Sequence, residues 1–201
     1  MFDGFVASNG MCVFDQTLTC IQKHTYRQKD IRYLIEYAQH HDMTLVFETM
    51  EDIYVVNEIN AYVAISNDYY QEITPPRKQW QQEEVVKITC FQKQNYDFTE
   101  LLQHVNVQIL PSPTTTYDLT LPGVSKLTGI HELMRHWQLK ESDFLCFGDH
   151  ENDMEMIQGA RIGVAVQDAL GSKRLQELAD AVCDSAKEDG IYRYLKEHGY
   201  I

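Results

Sequence analysis

Basic residues are scarce in this sequence. Its 201 residues include 17 Lys and Arg against 30 Asp and Glu, which gives a formal net charge of −13. Nucleic-acid binding relies on clustered Lys and Arg, and docking on anionic lipid relies on the same residues. The charge therefore argues against a nucleic-acid partner and disfavours a membrane surface.

Long apolar segments and paired cysteines are also lacking. No apolar run reaches the length that spans a bilayer, and the first residues carry no basic leader ahead of an apolar segment. The five cysteines are odd in number, widely spread, and include no C-x-x-C pair. We therefore expect a cytoplasmic protein with reduced thiols.

The order of predicted helices and strands differs between the two halves of the chain. Before about residue 118, helices and strands mix as in an α+β layer with an antiparallel sheet. After about Gly123, strands alternate regularly with helices, which predicts a parallel sheet of βα units. We predict an α/β protein with boundaries near residues 20 and 118, so that the segments are 1–20, 21–118 and 119–201.

Spacing of apolar residues and turn residues predicts the individual elements. Two short strands are expected between Phe2 and Phe14, around a turn at Ser8-Asn9-Gly10. Further strands are predicted over 44–47, 53–56, 85–91, 107–110, 143–148, 162–166 and 181–183. Helices are predicted over 29–40, 98–105, 127–137, 153–159, 172–178 and 190–198.

Carboxylates and a carboxamide crowd the end of the predicted strand 143–148. Asp149 follows Gly148 directly, and Asn152 and Asp153 come in the next turn. In open α/β sheets, ligands bind at the carboxyl ends of strands, and crowded oxygen donors suit Mg²⁺. The alternative is that Asn152 or Asp153 only caps the next helix while Asp149 closes a turn.

A lysine opens the helix that precedes this strand. Lys126 could reach the same crevice as Asp149 and neutralise a phosphate, or it could be an ordinary solvated lysine. The helix dipole favours anions at this end, which makes a lysine unusual there.

These motifs resemble those of Cof-type phosphatases, a branch of the haloacid dehalogenase superfamily. The resemblance rests on segments that follow one another in the family's order: Phe5–Gly10, Gly123–Lys126, Phe147–Met156, Gly163–Val166, Ala179–Asp180 and Glu188–Ile191. It implies a Rossmann-like core with an inserted α+β cap over 21–118, and it implies hydrolysis of small phosphorylated metabolites such as sugar phosphates.

The resemblance also implies roles for four residues. Asp149 matches a magnesium ligand, and Asp153 and Asn152 match positions that support the metal and the phosphate-binding network. Lys126 matches the lysine that offsets negative charge on the nucleophile and on the phosphoryl group. By resemblance, then, the metal residues are Asp149 and Asp153, the catalytic residues are Lys126 and Asp153, and the substrate-binding residues are Lys126 and Asn152.

One part of the family's pattern has no match. The family's nucleophile lies in a D-x-D-G-T segment on the first core strand, and this sequence contains no D-x-D. Without a nucleophile the remaining residues can bind metal and anions but have nothing to phosphorylate. We therefore expect a core that is incomplete and inactive as a lone chain, and the competing hypothesis is a non-catalytic phosphate- or metal-binding or regulatory module.

The missing strand would lie at the centre of the sheet. Open strand edges invite pairing with another chain, so a domain-swapped homodimer or a separately encoded N-terminal fragment would complete the fold. An artificially shortened reading frame is the other explanation.

Overall fold

The chain forms two compact units, one of which is inserted into the sequence of the other. The computed structural model describes residues 2–167 and 171–201. The first unit comprises residues 1–21 and 125–201, and the second comprises residues 22–124. The predicted boundary after residue 118 falls inside a strand of the second unit, Thr116–Thr120.

The strands of the first unit belong to two three-stranded sheets. They are β1 (Gly4–Ala7), β2 (Cys12–Asp15), β9 (Leu145–Gly148), β10 (Ile162–Val166) and β11 (Ala181–Cys183), and β3 (Cys20–Lys23) crosses the boundary after residue 21. One sheet has the order β1-β2-β3, with β1 and β2 antiparallel; the other has the order β11-β10-β9 and is parallel. The helices of this unit are α4 (Lys126–His136), α5 (Met154–Gly159), α6 (Lys173–Leu178) and α7 (Gly190–Glu197).

Apolar side chains cover both faces of the parallel sheet. On one face Cys146 and Ala165 pack with Met156, Ile157 and Leu175. The alternate residues of β10, Val164 and Val166, pack with Cys183 on the other face. Two covered faces are characteristic of parallel sheets, whose strands therefore read as apolar runs. This is why β10 has the bounds that the sequence predicts; β11, whose Val182 is exposed, also has its predicted bounds.

The second unit is built on one antiparallel sheet. Its strands are β4 (Thr44–Glu48), β5 (Ile53–Val55), β6 (Lys87–Phe91), β7 (Gln108–Pro111) and β8 (Thr116–Thr120), in the order β5-β4-β6-β8-β7. The helices are α1 (Gln28–His40), α2 (Ala61–Tyr70) and α3 (Thr99–Leu102), and Val63 of α2 packs against Val46, Val55 and Phe91 of the sheet. The predicted mixed α/β class is confirmed.

The structure contains elements that the sequence analysis did not predict, and the first of them is strand β3. Helix α2 was not expected, because its apolar and aromatic residues form no single stripe; the Asn60 side chain begins it by accepting a hydrogen bond from the Tyr62 amide at 3.1 Å. Strand β8 was also not expected. Helix α3 is shorter than predicted, since His104 N–H already bonds to the Leu101 carbonyl in the tighter pattern that ends helices.

The cysteines form no disulfide, and all five lie within the described part of the chain. Cys20 is exposed and the other four are buried. Burial raises the pKa of the Cys90 thiol and of the Cys146 thiol to about 12. No helix of the described residues is both long and apolar enough to cross a bilayer.

We expect the buried thiols to resist modification in the folded protein. At pH 8, Ellman's reagent should titrate Cys20 rapidly, and Cys90 and Cys146 only after unfolding in urea. Because their folded pKa values are raised above the ordinary value of 9.0, the free energy of unfolding should fall as the pH rises above that value, where thiols ionise first in the unfolded chain. Rapid titration of all five thiols without denaturant would contradict the burial.

Candidate active site

The site begins where β9 ends, at Gly148. A Cβ atom on Gly148 would lie 2.6 Å from the Cβ of Asp153, closer than such atoms approach. Glycine at this position therefore lets the turn that carries Asp149 fold back against Asp153. The turn continues as a short 3-10 helix, Glu151–Asp153, and leads into α5.

Asp153 is the buried centre of the site, with a relative exposure of 4%. Its Oδ2 accepts hydrogen bonds from the backbone N–H groups of Asp149 at 3.1 Å and His150 at 3.2 Å. Its Oδ1 accepts a hydrogen bond from Lys126 Nζ at 2.6 Å. The carboxylate therefore caps the turn and also pairs with Lys126. The two alternatives considered for Asp153 from the sequence, a capping residue and a residue of the site, are compatible.

Lys126 is held at the first turn of α4 by a capping box. Ser125 Oγ accepts a hydrogen bond from the Thr128 amide at 3.4 Å, and Thr128 Oγ1 accepts one from the Ser125 amide at 2.9 Å. The Lys126 side chain is 31% exposed, so its ammonium reaches both the buried Asp153 and solvent. The negative charge of Asp153 offsets the unfavourable position of a lysine at a helix N-terminus.

Asp149 and Asn152 offer oxygen atoms beside this pair. The Asp149 side chain is 45% exposed, and its Oδ2 lies 3.9 Å from His150 Nε2. Asn152 Nδ2 donates to Asn9 Oδ1 at 3.3 Å, whereas Asn152 Oδ1 is buried and has no hydrogen-bond partner in the described structure. A buried acceptor without a partner costs about 1–3 kcal/mol, so this oxygen has the capacity to accept a hydrogen bond from a water or a bound group.

The predicted site residues therefore fall into one cluster of the first unit. Lys126 and Asp153 are in direct contact, and Asp149 is joined to Asp153 through its backbone. Asn9 is an additional member, because it contacts Asn152. In the sequence Asn9 indicates only a turn, and its left-handed φ of 56° agrees with that interpretation, so no local signal identified its second contact.

The donor set fits a hard cation only in part. Within residues 2–167 and 171–201, no three His, Cys, Asp or Glu side chains lie together as a metal cage. Mg²⁺ needs fewer protein ligands, since it is commonly bound through one or two carboxylates plus water and phosphate. The exposed carboxylate of Asp149 meets that need. Direct coordination by Asp153 stays a prediction, because both of its oxygens already accept hydrogen bonds.

Comparison with known proteins places the chain in a family. The sequence model of the family of haloacid dehalogenase-like hydrolases matches residues 2–195. A phosphoglycolate phosphatase of Methanoculleus marisnigri is 41% identical over 80 residues, which is 40% of this chain and 33% of that protein. The 5-amino-6-(5-phospho-D-ribitylamino)uracil phosphatase YitU of Bacillus subtilis is 23% identical over 163 residues, covering 81% of this chain and 56% of that protein.

A solved structure supports the same assignment for the fold. The sugar phosphatase of haloacid dehalogenase subclass IIB superposes with a TM-score of 0.84 at 25% identity, over 100% of this chain and 77% of its own. The chain spans between a third and somewhat more than half of the two curated relatives described above. The family match and the structural match confirm the resemblance that the motifs predict. The chain belongs to the family of haloacid dehalogenase-like hydrolases.

Proposed function

We propose that this chain carries the magnesium- and phosphate-binding part of a phosphatase for small phosphorylated metabolites. The observation that supports it most is the contact between Lys126 and the buried Asp153, which lies beside Asp149 at the carboxyl end of β9. Phosphoryl transfer depends mainly on positioning and on electrostatic stabilisation, and an ammonium held by a buried carboxylate supplies both.

Each residue has a distinct part in this proposal. Asp149 would hold Mg²⁺, and the ion when bound supplies positive charge that offsets the charge of a phosphoryl group. Lys126 Nζ has three donors and uses one of them on Asp153, so it can also donate to a phosphate oxygen. Asn152 Oδ1 accepts a hydrogen bond from the bound group. Asp153 is a positioning residue for the lysine and for the turn.

We further propose that the 201-residue chain does not turn over phosphate esters by itself. The sequence contains no D-x-D segment, and Asp153 is occupied by Lys126 and by two amides. A covalent mechanism needs a free nucleophile. The second candidate, a non-catalytic phosphate- or metal-binding module, is favoured by the same occupied carboxylate.

The substrate class follows from the relatives. Their names specify phosphoglycolate, a phosphorylated ribitylaminouracil and sugar phosphates. These compounds share a phosphate ester on a small polar molecule, which is the class that we propose for this chain. A cytoplasmic location is part of the proposal, since five cysteines without a disulfide suit a reducing compartment.

Binding and turnover can be measured separately. Mg²⁺ and inorganic phosphate are each added at ten times the dissociation constant. Binding of one ligand at that concentration raises the free energy of unfolding by about 1.4 kcal/mol. For a domain of this size, this corresponds to a rise of about 3–6 °C in melting temperature. We expect this rise in the unmodified chain, with no hydrolysis of p-nitrophenyl phosphate. Asp149→Asn should remove the rise in melting temperature that Mg²⁺ produces, and Lys126→Met should remove the rise that phosphate produces.

A matched control separates the site from general charge effects. Asp143 is a surface carboxylate that pairs with Arg161 at 3.0 Å, so Asp143→Asn should leave both ligand effects intact. Turnover by the unmodified chain that Asp149→Ala abolishes would overturn the proposed inactivity. No thermal shift with either ligand would overturn the binding site itself.

A further inference from the structure

The peptide group that follows Asp149 is hydrogen-bonded on both of its sides, by two different segments. Its N–H, which belongs to His150, donates to Asp153 Oδ2 at 3.2 Å. Its oxygen, which belongs to Asp149, accepts a hydrogen bond from the N–H of Ser172 at 2.9 Å. A planar peptide group held by one bond can still tilt about that bond, whereas a second bond on the opposite side fixes the plane.

Ser172 is a firmly anchored donor because it is the N-cap residue of α6. Its Oγ accepts a hydrogen bond from the Leu175 N–H at 3.2 Å, and its carbonyl oxygen accepts one from the Gln176 N–H at 3.2 Å. Leu175 is fully buried and belongs to the same apolar cluster as Cys146 of β9. Core packing therefore sets the position of the Ser172 N–H, independently of the turn that carries Asp149.

The Asp149 side chain has less support than its backbone. It is 45% exposed, and its Oδ2 lies 3.9 Å from His150 Nε2, which is too far for a hydrogen bond. The direction in which this carboxylate leaves the turn therefore depends on the backbone of Asp149. Contacts that orient a metal ligand before the ion arrives are typically worth about 10–100-fold in metal affinity.

We propose that Ser172 is a positioning residue for Asp149. Its backbone N–H holds the peptide group after Asp149, so that the carboxylate is directed for magnesium before the ion binds. This inference deepens the proposed function, on which it rests, by adding a residue that acts through the metal ligand. The alternative is that Ser172 only caps α6, in which case its hydroxyl matters and the bond from its N–H to Asp149 does not.

Two substitutions of Ser172 separate these roles. Ser172→Pro and Ser172→Ala both lose the hydroxyl that caps α6, so both should have a lower melting temperature than the unmodified chain. Only Ser172→Pro also loses the N–H that donates to Asp149. The φ of Ser172 is −70°, which lies in the range of the proline ring, and the preceding Gly171 has no Cβ to clash with that ring.

Magnesium affinity and local opening are measured separately. Isothermal titration calorimetry in the presence of inorganic phosphate gives the dissociation constant of Mg²⁺. We expect Ser172→Pro to raise this constant by about tenfold or more and Ser172→Ala to leave it unchanged. Without added ion, the amides of Asp149 and His150 should exchange hydrogen about tenfold faster in Ser172→Pro than in Ser172→Ala, measured by NMR.

Ser185 provides a control for the introduction of a proline. It is the N-cap residue of the 3-10 helix Ala186–Glu188, and its φ of −60° also suits proline. Ser185→Pro should leave the dissociation constant of Mg²⁺ unchanged. If Ser172→Pro does not fold, the unmodified chain still tests the inference: Mg²⁺ should slow exchange of the Ser172 amide by about tenfold, and Asp149→Asn should remove that effect.

Several outcomes would overturn this inference. They are equal dissociation constants of Mg²⁺ for the two Ser172 variants, a loss of affinity in Ser185→Pro as large as that in Ser172→Pro, or no difference in exchange at Asp149 and His150. The failure of the proposed function is a different result. If Mg²⁺ has no effect on the unmodified chain but Ser172→Pro speeds exchange at Asp149, the metal site is contradicted and the hold of Ser172 on Asp149 is supported.

Discussion

Replacing Asp153 by asparagine is expected to lower the free energy of unfolding of the first unit by about 2–4 kcal/mol. The buried carboxylate accepts three hydrogen bonds, from Lys126 Nζ and from the amides of Asp149 and His150. An asparagine side chain has one NH₂ group in place of an oxygen, so at least one donor would face another donor. The loss of negative charge also leaves Lys126 without its partner.

Urea unfolding followed by the fluorescence of Trp137 gives the measurement, with Trp80 replaced by phenylalanine because it lies in the other unit. Asp143→Asn removes an exposed ion pair of 3.0 Å and should change stability by less than about 1 kcal/mol. In a double-mutant cycle, Lys126→Met should cost less in the Asp153→Asn background than alone. Equal costs in both backgrounds would show that the two side chains do not interact.

Replacing Gly10 by alanine is expected to cost about 3 kcal/mol or more, or to prevent folding of the first unit. Gly10 has a φ of +95°, and a Cβ there would lie 2.0 Å from the carbonyl oxygen of Ser125. Ser125 is the N-cap of α4, and its backbone cannot move without displacing Lys126. The substitution should therefore reduce stability and phosphate binding together, measured by the same unfolding assay and by thermal shift.

Gly123 provides the matched control for this change. It also has a positive φ, of +77°, but nothing lies within 4 Å of the position that a Cβ would occupy there. Gly123→Ala should therefore cost only the strain of a left-handed alanine, about 1 kcal/mol. If both alanine variants lose the same stability, the contact between Gly10 and Ser125 is not the reason that Gly10 is required.

Elements with a strong apolar pattern were predictable from the sequence. Strand β10 is buried on both faces, and α1 has an apolar stripe of helical period, so each pattern has one structural solution. Helix α2 lacks such a stripe, and β8 is defined by its two neighbours β6 and β7. Those two elements depend on contacts that are distant in the sequence.

The candidate site was also predictable from the sequence only in part. The order of Gly148, Asp149, Asn152 and Asp153 after an apolar strand predicted an oxygen-rich turn, and the upstream Lys126 was predicted to reach it. Asn9 was not predicted to contact Asn152, because the two residues are 143 positions apart. The pairing of Asp153 with Lys126 and two amides also required the three-dimensional structure.

The sequence by itself determined the family, the α/β class and the residues of the acidic turn, because these follow from local order and from apolar periodicity. Only the tertiary structure decided that Asp153 is buried and paired with Lys126 and that Asn152 Oδ1 has no partner among the described residues. It also decided that β9 is the outer strand of its sheet among those residues. Burial, pairing and strand order arise from packing between distant segments, and residue spacing carries no direct record of them.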